Sequence, residues 1–143
     1  MKIVDLNLLL YAINRDAPHH ARAKVWLERV LTDDEPVGLA WVTLLGFLRL
    51  ATSARVFPQP LAPEQALAVV DSWVAHPAVT MVHPGDEHWR ILRTLLEESG
   101  IAGNLTTDAH LAALALEHGA ALHSTDADFA RFRRLRWVNP LTS

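Results

Sequence analysis

Short apolar runs alternate along this chain with longer segments of helical periodicity, and that alternation leaves few folds open. "KIV" near the start, "VTMV" at 79–82, "ALHS" at 121–124 and a run near "LRWVN" at 135–139 read as short strands. Between them, "PHHARAKVWLERVL" places Pro18 at a first helical position. It also repeats Ala23, Trp26, Leu27, Val30 and Leu31 at helical spacing. "LAWVTLLGFLRLAT" (39–52) is apolar almost throughout, which predicts a buried helix. "APEQALAVVDSWVAH" starts at Pro63 and Glu64 and closes before Pro77. "DEHWRILRTLLEESG" ends at Gly100, and "NLTTDAHLAALALEHG" is predicted to use Thr106 or Thr107 as N-cap with Gly119 past its end. A short helix "ADFARF" precedes the last strand. Strands separated by helices predict one α/β domain over 1–143, with a mainly parallel central sheet and helices on both faces.

Composition narrows the chemistry. With no cysteine in 143 residues, disulfides, thiolate metal sites and thiol nucleophiles are excluded. The opening apolar stretch carries an acid and lacks a small-residue cleavage site, and no run reaches the ~18 residues of a membrane span. A cytoplasmic protein with no membrane association is the expectation. A formal charge of −3 supplies no global attraction for nucleic acid. Locally, "RFRRLRW" (131–137) holds four of the thirteen basic residues. The histidines do not form a zinc motif, no glycine-rich phosphate loop occurs, and the tryptophans fall mostly at helical stripe positions. His110 and His123 read as structural, and His19 and His20 as solvated.

Three aspartates share a setting. Asp5 follows the first strand, Asp126 follows "ALHS", and Asp108 lies in the first turn of a helix apolar on every side. In parallel sheets the functional crevice lies at the carboxyl ends of strands, so Asp5 and Asp126 belong to one edge. Each acid alone has an ordinary role as turn residue or helix cap. Together, carboxylates ~5 Å apart would repel by about 3 kcal/mol per pair at an effective dielectric near 20. A divalent cation offsets such repulsion, and an oxygen-only donor set favours Mg²⁺ or Mn²⁺.

The segments "VDLNLLLYA", "TTDAHLAALALEHGAALHSTDADFARF" and "LRWVNPL" resemble the PIN-domain ribonucleases, in particular the VapC toxins of toxin–antitoxin pairs. The resemblance spans nearly the whole chain. It implies an endoribonuclease that uses Mg²⁺ or Mn²⁺ to direct water at an RNA phosphodiester, forms a homodimer, and is inhibited by a small antitoxin. It also implies that Asp5, Asp108 and Asp126 bind the metal, with Asp128 as an auxiliary acid. Asn7 matches the residue that orients the first acid, and Ser124 the small hydroxyl residue before the last motif. Arg49, Arg131, Arg133 and Arg134 are candidate RNA contacts. One position departs from the pattern: Gly46 stands in "LLGFLR" where the family carries a Glu. A PIN-like module that binds RNA or a partner without cutting is therefore the alternative. A phosphotransfer enzyme using Asp5 as nucleophile would require a D-x-D pair, and "DLN" lacks the second acid.

Overall fold

The computed structural model describes residues 1–100 and 103–142. Five strands among them form one parallel sheet: β1 (Lys2–Val4), β2 (Val37–Leu39), β3 (Val79–Met81), β4 (Ala121–His123) and β5 (Trp137–Val138). Their spatial order is β3-β2-β1-β4-β5. The chain builds outward from β1 in one direction, then returns to its other side with β4. The point of reversal therefore falls between β1 and β4, where open α/β sheets hold their ligands.

Six helices cover the sheet: α1 (Leu6–Ile13), α2 (His20–Thr32), α3 (Trp41–Ala51), α4 (Pro63–Val74), α5 (His88–Ser99) and α6 (Thr106–Glu117). Side chains alternate across a strand, and β1 shows the consequence. Val4 packs with Leu8, Trp26, Leu44, Phe47 and Trp73 from α1–α4. Ile3 packs on the opposite face with Leu95 of α5 and Leu111 and Leu114 of α6. Both are fully buried. Each such residue contributes roughly 1.5–3 kcal/mol of burial, so a one-residue slip of β1 would disrupt both cores at once.

Several elements depart from the sequence expectation. Leu39 and Ala40, assigned to a helix, are instead the end of β2 and the residue before α3. A three-residue interior strand is apolar without alternation, so periodicity cannot separate it from the helix that follows. Gly38 makes the close packing there feasible. A Cβ at that position would meet Ile3 Cγ1 at 3.0 Å and Met1 Sδ at 3.1 Å. The predicted burial of α3 also fails on one side, because Trp41 and Leu45, one turn apart, stand exposed. The segment of helix α1, "LNLLLYAI", is apolar at every position but Asn7, so its sequence does not separate a helix from a strand. Neither Thr106 nor Thr107 caps α6: a 3-10 turn, Gly103–Leu105, leads into it and makes Leu105 the N-cap. "ADFARF" folds as a 3-10 turn over Ala127–Arg131. Gly100 closes α5 at φ 65°, the left-handed conformation expected there.

His123 sits at the end of β4, stacked on Trp26 with ring centroids 5.8 Å apart, and its Nδ1 is buried without a partner. Burial pushes its pKa down to about 4, with the charge of Lys2 adding to the shift. The native state keeps this imidazole neutral, whereas the unfolded chain protonates it at an ordinary value. The stability it supplies is present at neutral pH and is lost as pH falls through the window from about 6.5 to about 4. Replacing His123 by Phe should therefore reduce the loss of stability between pH ~7.5 and ~5 by about 1–2 kcal/mol. Urea unfolding of both proteins at the two pH values, followed by circular dichroism, measures this; equal losses would refute it.

Candidate active site

The carboxyl edge of β1 and β4 assembles around Ser124. In the parallel ladder Val4 faces His123, so the next residues, Asp5 and Ser124, emerge side by side. Ser124 is fully buried and its Oγ serves three partners. It donates to Asp5 Oδ2 at 2.7 Å, and accepts from the Asp126 amide at 3.0 Å and from Asn7 Nδ2 at 3.3 Å. Trp137 Nε1 donates to the Ser124 carbonyl at 2.9 Å, anchoring β5 to the same residue. Trp137 thus serves packing and anchoring. Asn7 reaches Asp5 through Ser124, and its own Oδ1 is buried with no partner.

Asp5 is the N-cap of α1, with Oδ1 accepting from the Leu6 amide at 2.8 Å. Burial raises its pKa, opposed by the hydrogen bonds from Ser124 and Leu6, while the charge of Asp126 adds to the rise. Asp126 caps the following 3-10 turn through Oδ1, which accepts from the Asp128 amide at 2.9 Å. The capping role expected of an isolated aspartate is real at both positions. Neither role uses all the acceptor capacity of a carboxylate.

Asp108 comes from the first turn of α6, a helix whose body is buried from Ala109 through Ala115 apart from His110. Packing of that body aims the N-terminus at the sheet edge. There one carboxylate oxygen each from Asp108, Asp126 and Asp128 lies within 4.8 Å of the others. Asp5 stands beside this trio, buried and electrostatically coupled to Asp108 and Asp126. Burial and then the charges of Asp5, Asp126 and Asp128 push the Asp108 carboxyl up to about 6. The donor set fits a small hard cation. At Mg–O distances of ~2.0–2.1 Å an octahedron places neighbouring ligand oxygens ~3 Å apart and opposite ones ~4 Å apart, within the span available here.

Gly46 lies on α3, and its missing side chain has a consequence. A Cβ there would sit 2.7 Å from Leu6 Cδ2. Leu6 thus fills the space that a side chain from α3 would enter. The carboxylates come instead from β1, α6 and the turn after β4.

The arginines divide. Arg131, Arg133 and Arg134 border one pocket of about 650 Å³ next to the end of α5. Arg134 is held there by Glu98 at 2.9 Å. Arg49 is exposed on α3, in the other helical layer, so the four form no common patch. Two features escaped the sequence reading. One is Leu6 at Gly46. The other is a ring pair tying α5 to α6, with His88 Nε2 2.9 Å from His110 Nδ1 and His88 Nδ1 3.9 Å from Glu117. The two histidines stand 22 positions apart, and no local spacing links them.

The fold and the acid edge together define a class. Residues 2–135 match the PIN domain. Over 140 residues the chain is 48% identical to ribonuclease VapC37 of Mycobacterium tuberculosis, covering 98% of this chain and 97% of that protein. It is 45% identical over 141 residues to ribonuclease VapC33 of the same organism, covering 99% of each. The fold resembles that in the crystal structure of VapBC2 from Rickettsia felis bound to a promoter DNA fragment, with a TM-score of 0.69 at 22% identity over 96% of this chain and 97% of that one. The chain belongs to the VapC ribonucleases of the PIN-domain family.

A double-mutant cycle tests the Leu6–Gly46 contact. Gly46→Ala should be close to neutral, because the helix gains ~0.5–1 kcal/mol while the flexible end of Leu6 shifts. Gly46→Glu should destabilise by about 2–4 kcal/mol, by overpacking and by burying a carboxylate near other acids. Adding Leu6→Ala should recover at least ~1 kcal/mol of that beyond additivity. Chemical denaturation of the four proteins gives the coupling, and strict additivity would show that the two residues do not compete for space.

Proposed function

We propose that the chain is a Mg²⁺- or Mn²⁺-dependent endoribonuclease that acts as the toxin of a toxin–antitoxin pair. The observation that carries this reading is the convergence of Asp108, Asp126 and Asp128 within 4.8 Å beside the buried Asp5. Asp108, Asp126 and Asp128 would hold the ion directly. Asp5, fixed by Ser124 and the Leu6 amide, would accept from ion-bound water or ligate the ion itself. When bound, a divalent cation supplies polarisation of the phosphodiester and activation of water. The expected products are 5′-phosphate and 3′-hydroxyl ends.

RNA would approach over the arginines nearest the acids. Arg131, at the end of the turn carrying Asp126 and Asp128, is the best placed, with Arg133 following; Arg134 and Arg49 would serve the periphery. Homodimerisation is supported by exposed apolar side chains on adjoining helices: Trp41 and Leu45 on α3, Leu67 and Val74 on α4. Unpartnered apolar faces of this kind mark contact surfaces. A small VapB-like antitoxin is the partner implied by relatives that occur in VapBC complexes. No helix among the described residues is long and apolar enough to cross a membrane.

The second reading, a module that binds without cutting, is favoured by one feature: α3 carries Gly46 and no acid there, with the Leu6 side chain occupying the adjoining space. Incubation of purified protein with structured RNAs in Mn²⁺ or Mg²⁺ separates the two. The nuclease reading expects cleavage that stops with EDTA and falls to background in Asp5→Asn and Asp108→Asn. RNA bound but intact in every metal condition would establish the binding module instead.

Metal dependence also has a signature in stability. The folded pKa of Asp108, about 6, lies above its ordinary 3.8. Without metal, the stability this group contributes is full below pH ~4 and is lost as pH rises through about 6. A cation binding the ionised acids restores it. Mn²⁺ should therefore raise the unfolding midpoint more at pH ~7.5 than at pH ~5. In metal-free buffer Asp108→Asn should be the more stable protein at pH ~7.5, by about 1 kcal/mol after allowing for solvent screening. Scanning calorimetry with and without Mn²⁺ decides it: an equal shift at both pH values would mean the ion binds elsewhere.

A further inference from the structure

The Ser124–Asp126 turn borders, through Thr125, a pocket of about 510 Å³, a volume typical of small-ligand sites. Thr125, between the Ser124 that holds Asp5 and the Asp126 of the acid trio, forms part of its wall. Tyr11 from α1, His19 at the cap of α2, Arg22 in its first turn, and Asn139, Leu141 and Thr142 from the segment after β5 form the rest. Its described lining residues include no acid, although the adjoining edge carries four. Arg22 is exposed and makes no ion pair among the described residues. Tyr11 and His19 lie 5.3 Å apart at 54°. They form an open wedge and not a closed stack, so a ring face remains for another planar group. A hydrogen bond ties the elbow that carries them: His20 Nδ1 donates to the Tyr11 carbonyl at 2.9 Å.

We propose that this pocket is a subsite for one nucleotide of the RNA chain next to the phosphodiester at the acids, with Tyr11 and His19 stacking its base and Arg22 holding its phosphate. This rests on the nuclease reading above and deepens it. The chemistry follows from placement. A polyanion is repelled by four aspartates, and a bound ion neutralises only part of their charge, so the substrate needs cationic and stacking contacts just outside the trio. Asn139 adds an amide able to hydrogen-bond a base edge. An aromatic wedge with a guanidinium is how sequence-tolerant single-strand sites are built, because every base has a π-face. None of the proposed residues is a candidate metal ligand, so the subsite predicts effects on KM and not on the chemical step.

The test uses the full chain and a labelled random-sequence single-stranded RNA library. For cleavage in Mn²⁺, Tyr11→Ala and Arg22→Gln should each raise KM about tenfold with kcat within about twofold. Tyr11→Phe, which keeps the ring, should retain the wild-type KM. Unchanged KM in both Tyr11→Ala and Arg22→Gln would overturn the subsite while leaving the nuclease reading intact. Should wild-type protein leave the library uncut, anisotropy in EDTA carries the test. Weakening by the same two variants then supports the subsite and rejects the nuclease, and affinity equal to wild type rejects both. Loss of a copurified small protein partner with RNA KM unchanged would assign the pocket to that partner and overturn the proposal.

Discussion

Everything at the acid edge depends on β1 lying beside β4 in parallel. The pairing joins residues more than a hundred positions apart, and its register puts Asp5 next to Ser124. Burial of Ile3 on one face and Val4 on the other locks that register, because a slip would exchange two fully buried residues between cores of different shape. Position is thus set by apolar packing on both sides of the sheet, and the polar network is attached to it. Ser124 converts the register into geometry: one hydroxyl ties the acid after β1 to the turn after β4.

That network leaves the fold in tension with itself. Four carboxylates gather at this edge; burial and the charges of neighbouring acids push the carboxyls of Asp5 and Asp108 up, and Asp108 holds a proton up to about pH 6 as a result. An arrangement serving stability alone would pair these acids with the arginines that the chain has in abundance. The arginines stand elsewhere: Arg134 pairs with Glu98, and Arg49 lies in the other layer. None of the ion pairs among the described residues involves Asp5, Asp108, Asp126 or Asp128, so the carboxylates keep acceptor capacity that the proposed metal ion would use.

How much of this the sequence displays depends on range. Helices with a stripe and a terminator, such as α2, α4 and α5, are legible because their signals lie within one or two turns. Strand β2 and helix α1 are not, since runs this short and this uniformly apolar do not separate strand from helix by their period. The aspartates are visible as acids that end strands, and their convergence follows from parallel topology. Which of them form the tight trio is not legible. Asp128 joins Asp108 and Asp126 because the 3-10 turn, started by the Asp126 cap, brings its carboxylate round. Asp5 is drawn to Ser124 and the Leu6 amide instead. The Tyr11–His19–Arg22 pocket is likewise silent in the sequence, because its walls come from three separate stretches of chain.

Gly46 shows why a departure from a family pattern has to be read with its neighbours. Taken alone, it is a missing carboxylate. In the fold it is half of a pair: the absent Cβ gives Leu6 its place, and Leu6, the residue after Asp5, seals the apolar side of the acid edge. An acid restored at 46 would have to displace that side chain and lie against the core of α1 and α3. The exposed acid of the site is Asp128, on the turn after β4. An exposed fourth acid binds an ion with less desolvation cost than a buried one, and with less hold on it. The missing carboxylate at 46 and the seat of Leu6 are therefore one structural feature, and the acids that remain come from β1, α6 and the turn after β4.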